Sequence, residues 1–154
     1  MDSLVALLSE TALAEWMRLS RWGYAGVNTL HVLGIALLVG AILPLDMRLL
    51  GRHPEVALED ATRLLQPPAI LGLGLALVSG ALLFLAGPGD YLSMPLFLLK
   101  LGLVALAIAN ALWLNLGPGL AGATRRHLKM AGGASLLLWL AALVCGRLLA
   151  FVAD

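Results

Sequence analysis

The sequence predicts an all-α integral membrane protein, a four-helix bundle preceded by an amphipathic helix lying at the membrane interface. Three observations predict it. The chain of 154 residues is 61% hydrophobic and only 12% charged, against about 45–50% and about 25% in an ordinary soluble domain. Its mean hydropathy is +0.96. Its apolar residues fall into four runs, each close to the roughly 20 residues that a helix needs to cross about 30 Å of hydrocarbon. There is too little charge to cover a water-facing surface, which argues against a soluble enzyme, a disordered chain and a nucleic-acid binder. The single cysteine, Cys145, leaves no internal disulfide and no cysteine metal cluster.

The first element covers residues 2–20. Leu4, Leu7, Leu8, Leu13 and Trp16 recur at helical spacing, with Glu10, Glu15 and Arg18 charged among them. Such a helix lies in the interface, capped by Asp2 or Ser3. No basic segment precedes an apolar core, so a signal peptide is not expected. The spans are expected at about residues 22–45, 68–86, 95–116 and 131–152, all within one membrane domain. Apolar-polar alternation is missing and the runs exceed barrel-strand length, which excludes strands. In span one, Pro44 is expected to kink the inner end and to leave Asp46 and Arg48 at the cytoplasmic boundary. In span two, Gly72, Ala76 and Gly80 follow one another every four residues and predict a smooth strip for close helix contact.

Lys and Arg near the span ends predict the orientation. Arg48, Arg52, Arg63, Arg125, Arg126 and Lys129 fall on one side, and Arg18, Arg21 and Arg147 on the other. Six against three places both termini outside the cytoplasm, in the periplasm of a bacterial inner membrane.

An ionisable group inside a span costs several kcal/mol and is a functional candidate by default. His31, Lys100 and Arg147 qualify, and all fall in the outer half of the bilayer. His31 lies roughly 13 Å from the outer end of its span and Lys100 roughly 7 Å, at 1.5 Å per residue. Tyr24, Asn28 and His31 share a helix face. Gly34, three residues beyond His31, leaves room for a flat ligand or for a close helix. His31 therefore reads either as a ligand or as an interior histidine satisfied by Asn28, a hydroxyl or a carbonyl. Lys100 and Arg147 read either as cations that snorkel to the outer headgroups or as partners of an anion, with Asp90 the nearest counter-ion. Asn110 and Asn115 are expected to bond between helices, and Trp113 and Trp139 to pack in the bundle or at an interface. His53 and His127, in the two cytoplasmic segments, lack the neighbours a metal site needs and read as surface residues.

The motifs also carry a resemblance. His31-Val-Leu-Gly-Ile-Ala-Leu-Leu-Val-Gly40, then Asp46-Met-Arg-Leu-Leu-Gly51, resemble a family of small, uncharacterised four-span bacterial membrane proteins. Ser79-Gly-Ala-Leu-Leu-Phe84, residues 91–97, Lys100, Asn110, Leu138-Trp139 and Gly146-Arg147 continue the likeness over nearly the whole chain. More distantly, His31-x-x-Gly34 and Lys100-Leu-Gly-Leu look like parts of the membrane protoporphyrinogen oxidase family and of the copper-resistance D group. The first likeness implies a b-type heme served by His31 and Lys100. The Met- and His-rich outer segments expected for copper handling are absent.

Two functions are expected. The first is a heme b protein in redox or electron transfer, with a quinone or a redox protein as partner. His31 is its axial ligand, Lys100 a second ligand or propionate partner, Arg147 a propionate partner, and Tyr24, Asn28 and Gly34 line the site. A homo-oligomer is the other source of a second His31. The alternative is a non-enzymatic accessory subunit of the membrane, or a transporter of small anions using His31, Lys100 and Arg147.

Overall fold

The computed structural model describes residues 6–7, 9–117 and 122–152. Its elements are helices α1 (Ala12–Leu19), α2 (Arg21–Leu49), α3 (Leu58–Leu85), α4 (Pro88–Ser93), α5 (Pro95–Leu116) and α6 (Arg125–Val152). No strand occurs among the described residues. α2, α3, α5 and α6 are each long and apolar enough to cross a membrane, so the chain is a polytopic membrane protein by length and composition. Leu33, Leu71, Leu99 and Leu137, one on each of these helices, are at least half exposed. In lipid such a surface needs no cover, because hydrocarbon is its solvent.

The helices outrun the predicted spans at three ends. α2 continues to Leu49 through Pro44, α3 begins at Leu58 and runs through Pro67 and Pro68, and α6 begins at Arg125. Hydropathy stops at the first charges, whereas helical hydrogen bonding continues past them. Glu59 and Asp60 in the first turn of α3 suit its positive dipole end. The proposed caps Asp2 and Ser3 lie outside the described residues. The single helix expected over residues 2–20 is interrupted at Glu10 and Thr11: α1 starts only after them, with Thr11 as its N-cap, whose hydroxyl accepts from the Ala14 amide at 3.2 Å.

The chain divides into two compact units. The first joins residues up to 38 with residues 68–94: α1, the start of α2, most of α3, and α4. α1 buries Ala14 and Met17. Trp16 lies over Gly23, where a Cβ would stand 2.5 Å from the indole. Ser20 ends α1 and accepts from the Gly23 amide at 3.0 Å, which opens α2 directly. α2 and α3 then cross backbone to backbone. A Cβ on Gly34 would stand 2.6 Å from the Ala76 amide nitrogen, and one on Gly72 would stand 2.5 Å from that of Leu38. Gly72 and Ala76 of the predicted strip thus form this contact, and Gly80 lies against His31.

The second unit joins residues 39–67 with residues from 95 on: the ends of α2 and α3 that meet the charged loop, with α5 and α6. α5 packs along α6. Leu49, Leu114 and Ala131 form a small core, with Leu58, Ala123 and Leu128 packed on it. α2 stops in a two-bond glycine cap. The Gly51 amide bonds the Arg48 carbonyl, the Arg52 amide bonds the Met47 carbonyl, and Gly51 takes φ +93°. The side chains of Arg125 and Lys129 lie beside Gly51 and complement the negative end of α2.

Gly34→Val and Gly72→Val should each destabilise the protein by about 1–3 kcal/mol through overpacking against backbone. Gly74→Ala, where a Cβ meets nothing within 4 Å, should leave it as stable as before. Thermal unfolding in detergent, followed by circular dichroism, checks all three.

Candidate functional site

His31 is held by α3. Its Nδ1 lies 2.9 Å from the Ala76 carbonyl oxygen and 3.1 Å from the Ser79 hydroxyl. The carbonyl can only accept. The Ser79 hydroxyl donates to the Leu75 carbonyl at 2.5 Å, which leaves its lone pairs to face the ring. Both partners are therefore acceptors, and the proton belongs on Nδ1. In the neutral imidazole the lone pair is then on Nε2. Gly80 leaves room for the ring: a Cβ there would stand 3.0 Å from the imidazole Cε1. The α2–α3 crossing at Gly34 brings the two helices close enough for these bonds. Of the two uses open to Gly34, the structure shows the close helix.

The other residues of that face go separate ways. Tyr24 bonds Tyr91 of α4, whose ring lies 6.2 Å from that of Phe84. Burial pushes the Tyr91 phenol up to about 12, and the neighbouring Tyr24 and Asp90 push in the same direction. Asn28 is exposed, so it does not satisfy His31 from within the chain. The Asp90 carboxylate lies by Gly87, where a Cβ would stand 3.0 Å from Oδ2.

Lys100 and Arg147 belong to the second unit. Lys100 lies over Gly146, where a Cβ would be 3.4 Å from its Cε and 3.5 Å from its Nζ. The ion pairs among the described residues are His53 with Glu55 and Arg63 with Glu59, so the Lys100 ammonium has no carboxylate against it. Arg147 is exposed and its guanidinium sits 4.9 Å above the Phe151 ring, one turn nearer the helix end. That direction is the one a snorkelling side chain takes.

Sequence reasoning missed one polar feature of this unit. Asp46, expected at the membrane boundary, is 2% exposed, and α6 covers it at Gly132 and Ser135. The spacing of Gly132 and Ser135 on one face of α6 was the available signal. Asn115 bonds between helices as expected: Gln66 of α3 donates to it at 2.9 Å, and Asn115 donates onward to the Ala111 carbonyl at 2.7 Å. Asn110 bonds between helices as expected, to the Ala131 carbonyl at 3.0 Å. Trp139 is buried, and Trp113 lies 6.0 Å from the exposed His127 ring. His53 is 70% exposed on its side chain and pairs with Glu55. Among the described residues no group of three or more His, Cys, Asp or Glu is arranged to hold a metal ion.

No protein-family model, curated protein or solved structure matches this chain.

The two tyrosines of the chain are Tyr24 and Tyr91, so Tyr24→Phe isolates Tyr91 for an absorbance titration. Its phenolate should appear in one step above the ordinary value of about 10, because burial remains, but below the wild-type step, because the Tyr24 hydroxyl is gone. A phenol is neutral when protonated and its value is raised on folding. The stability it contributes is therefore present below about 10 and lost as the pH rises through about 12. A Tyr91 step at the ordinary value would show that α4 does not bury the phenol.

Proposed function

We propose that this polytopic membrane protein binds a b-type heme and works in redox or electron transfer, with His31 as an axial ligand. The observation that carries this reading is the Nδ1–H of His31 directed at the Ala76 carbonyl and the Ser79 hydroxyl. Ligating histidines characteristically donate their second ring nitrogen to a carbonyl, carboxylate or water, which selects the tautomer and orients the ring. The donor chemistry of His31 fits: a neutral imidazole with its lone pair on Nε2 is the form that binds iron. The heme would supply one-electron chemistry, and the protein would tune it through axial ligand, hydrogen bonding and burial. Ser79 and Ala76 are the positioning groups. Lys100 and Arg147 are proposed for the propionates, or Lys100 for the second axial place, on their residue chemistry alone. The resemblance of the His31 and Lys100 segments to the membrane protoporphyrinogen oxidase family points the same way.

A second reading is favoured by one observation, the exposed amide of Asn28 within α2. An amide facing hydrocarbon is costly and calls for a partner helix, from a second copy or another subunit. The chain would then be an accessory membrane component, with Lys100, which has no carboxylate partner among the described residues, available to a small anion.

The full chain purified from heme-replete cells decides between them. A heme absorption band near one heme per chain, lost in His31→Ala and shifted in position or midpoint potential in Ser79→Ala, is expected. A colourless preparation with full helical content would overturn the heme reading.

The orientation is proposed from the charge count, with both termini in the periplasm of a bacterial inner membrane. Alkaline phosphatase fused after Asp154 should be active, and the same enzyme inserted after Arg52 inactive. The reverse pattern would invert the topology.

A further inference from the structure

We propose that Asp46 is a proton-binding site, built by the last turns of α2 and the turn of α6 that covers them. Asp46 is 2% exposed and Oδ2 of its carboxyl has no hydrogen-bond partner. The side-chain group that bonds this carboxyl is the Ser135 hydroxyl. At Gly132 a Cβ would stand 2.7 Å from the Leu49 Cβ and 3.1 Å from the Asp46 carbonyl oxygen. α2 and α6 therefore meet nearly backbone to backbone around the acid, with little volume for a ligand.

Charge decides the occupant. No Lys, Arg or His forms an ion pair with Asp46 among the described residues. α6 faces it with Gly132 and Ser135, neither of which titrates. The α6 cations Arg125 and Lys129 lie beside Gly51, past the end of α2. On α2 itself, Arg48 turns to the Val56 carbonyl, with Nε at 2.6 Å. α5 brings Asn110, whose amide bonds the Ala131 carbonyl, and Lys100, which lies far along α6 at Gly146. A carboxylate buried without a counter-ion is too costly to persist, so a cation must come from outside the chain.

The cation has to be small and content with few donors. Calcium takes about six to eight oxygens and magnesium about six, and one carboxyl with one hydroxyl falls short of either. A proton needs one oxygen. It adds to the carboxylate to give the neutral acid, with no other bond made or broken and no co-reactant required. Ser135 can bond the carboxyl in either state, because a hydroxyl both donates and accepts. Asp46 is the group that can take up and release a proton without leaving the interior of the protein.

Infrared spectroscopy of the full chain in lipid nanodiscs tests this at neutral pH. A carbonyl-stretch band of a protonated carboxylic acid is assigned to Asp46 by its loss in Asp46→Asn. The band is expected in the wild type, absent in Asp46→Asn, shifted in Ser135→Ala, and unchanged when sodium replaces choline at constant pH. No such band in the wild type, or its removal by sodium, would overturn the proposal. If Asp46→Asn does not fold, Ser135→Ala still decides, since an unshifted band there assigns the proton elsewhere. The measurement does not involve heme, so its outcome is separate from that of the absorption spectrum.

Discussion

The first unit depends on how closely two backbones can approach. At Gly34 and Gly72 the α2 and α3 main chains are separated by less than a Cβ would require. In lipid there is no hydrophobic force to draw apolar helices together, so contact must come from dispersion and short polar bonds, both of which need proximity. The crossing supplies that proximity. One helical turn from Gly34, His31 reaches across to the Ala76 carbonyl and Ser79, and Gly80 gives its ring a place to lie. With larger side chains at the crossing, the imidazole would lose these two bonds.

The second unit meets the same requirement by other means. Here helix ends and amides satisfy one another: the glycine cap at Gly51, Asn110 on the Ala131 carbonyl, and Gln66 relayed through Asn115. Each bond is modest, about 0.6 kcal/mol on average in measured membrane helices. Their value is directional. A helix with an apolar surface all round can rotate among near-equal packings, and a few amides that must find particular carbonyls select one of them. Asp46 is the group this economy leaves incomplete, with one oxygen unpartnered in a site otherwise closed.

Much of the fold was legible because hydropathy and helix length are properties of one segment at a time. The four long helices and the short N-terminal one follow from composition and spacing, and so does the small-residue strip of Gly72, Ala76 and Gly80. Helix ends were less legible. Hydropathy registers where charge begins, but α3 extends back through Pro67 and Pro68, and α6 back to Arg125. Which face of a helix turns inward was least legible, because an apolar helix carries no moment to orient it. Tyr24, Asn28 and His31 share a face by spacing, yet Tyr24 bonds α4, Asn28 is exposed and His31 bonds α3.

Asp46 shows why depth along a span is an incomplete guide to polar sites. Counting residues from the span ends selects His31 and Lys100 and passes over an acid three residues from the end of α2. Depth measures distance from headgroups, whereas the energy of an ionised group depends on what replaces its hydration shell. A small residue on the neighbouring helix can remove that shell near a helix end as completely as hydrocarbon does at the midplane. At Gly132 the missing side chain brings α6 onto the last turns of α2, and Asp46 becomes more buried than either His31 or Lys100. Arg147 is the converse. It lies inside a span by sequence, but its guanidinium is exposed over Phe151. For ionisable residues near the ends of membrane helices, the facing residue on the next helix carries more information than the count of turns to the interface.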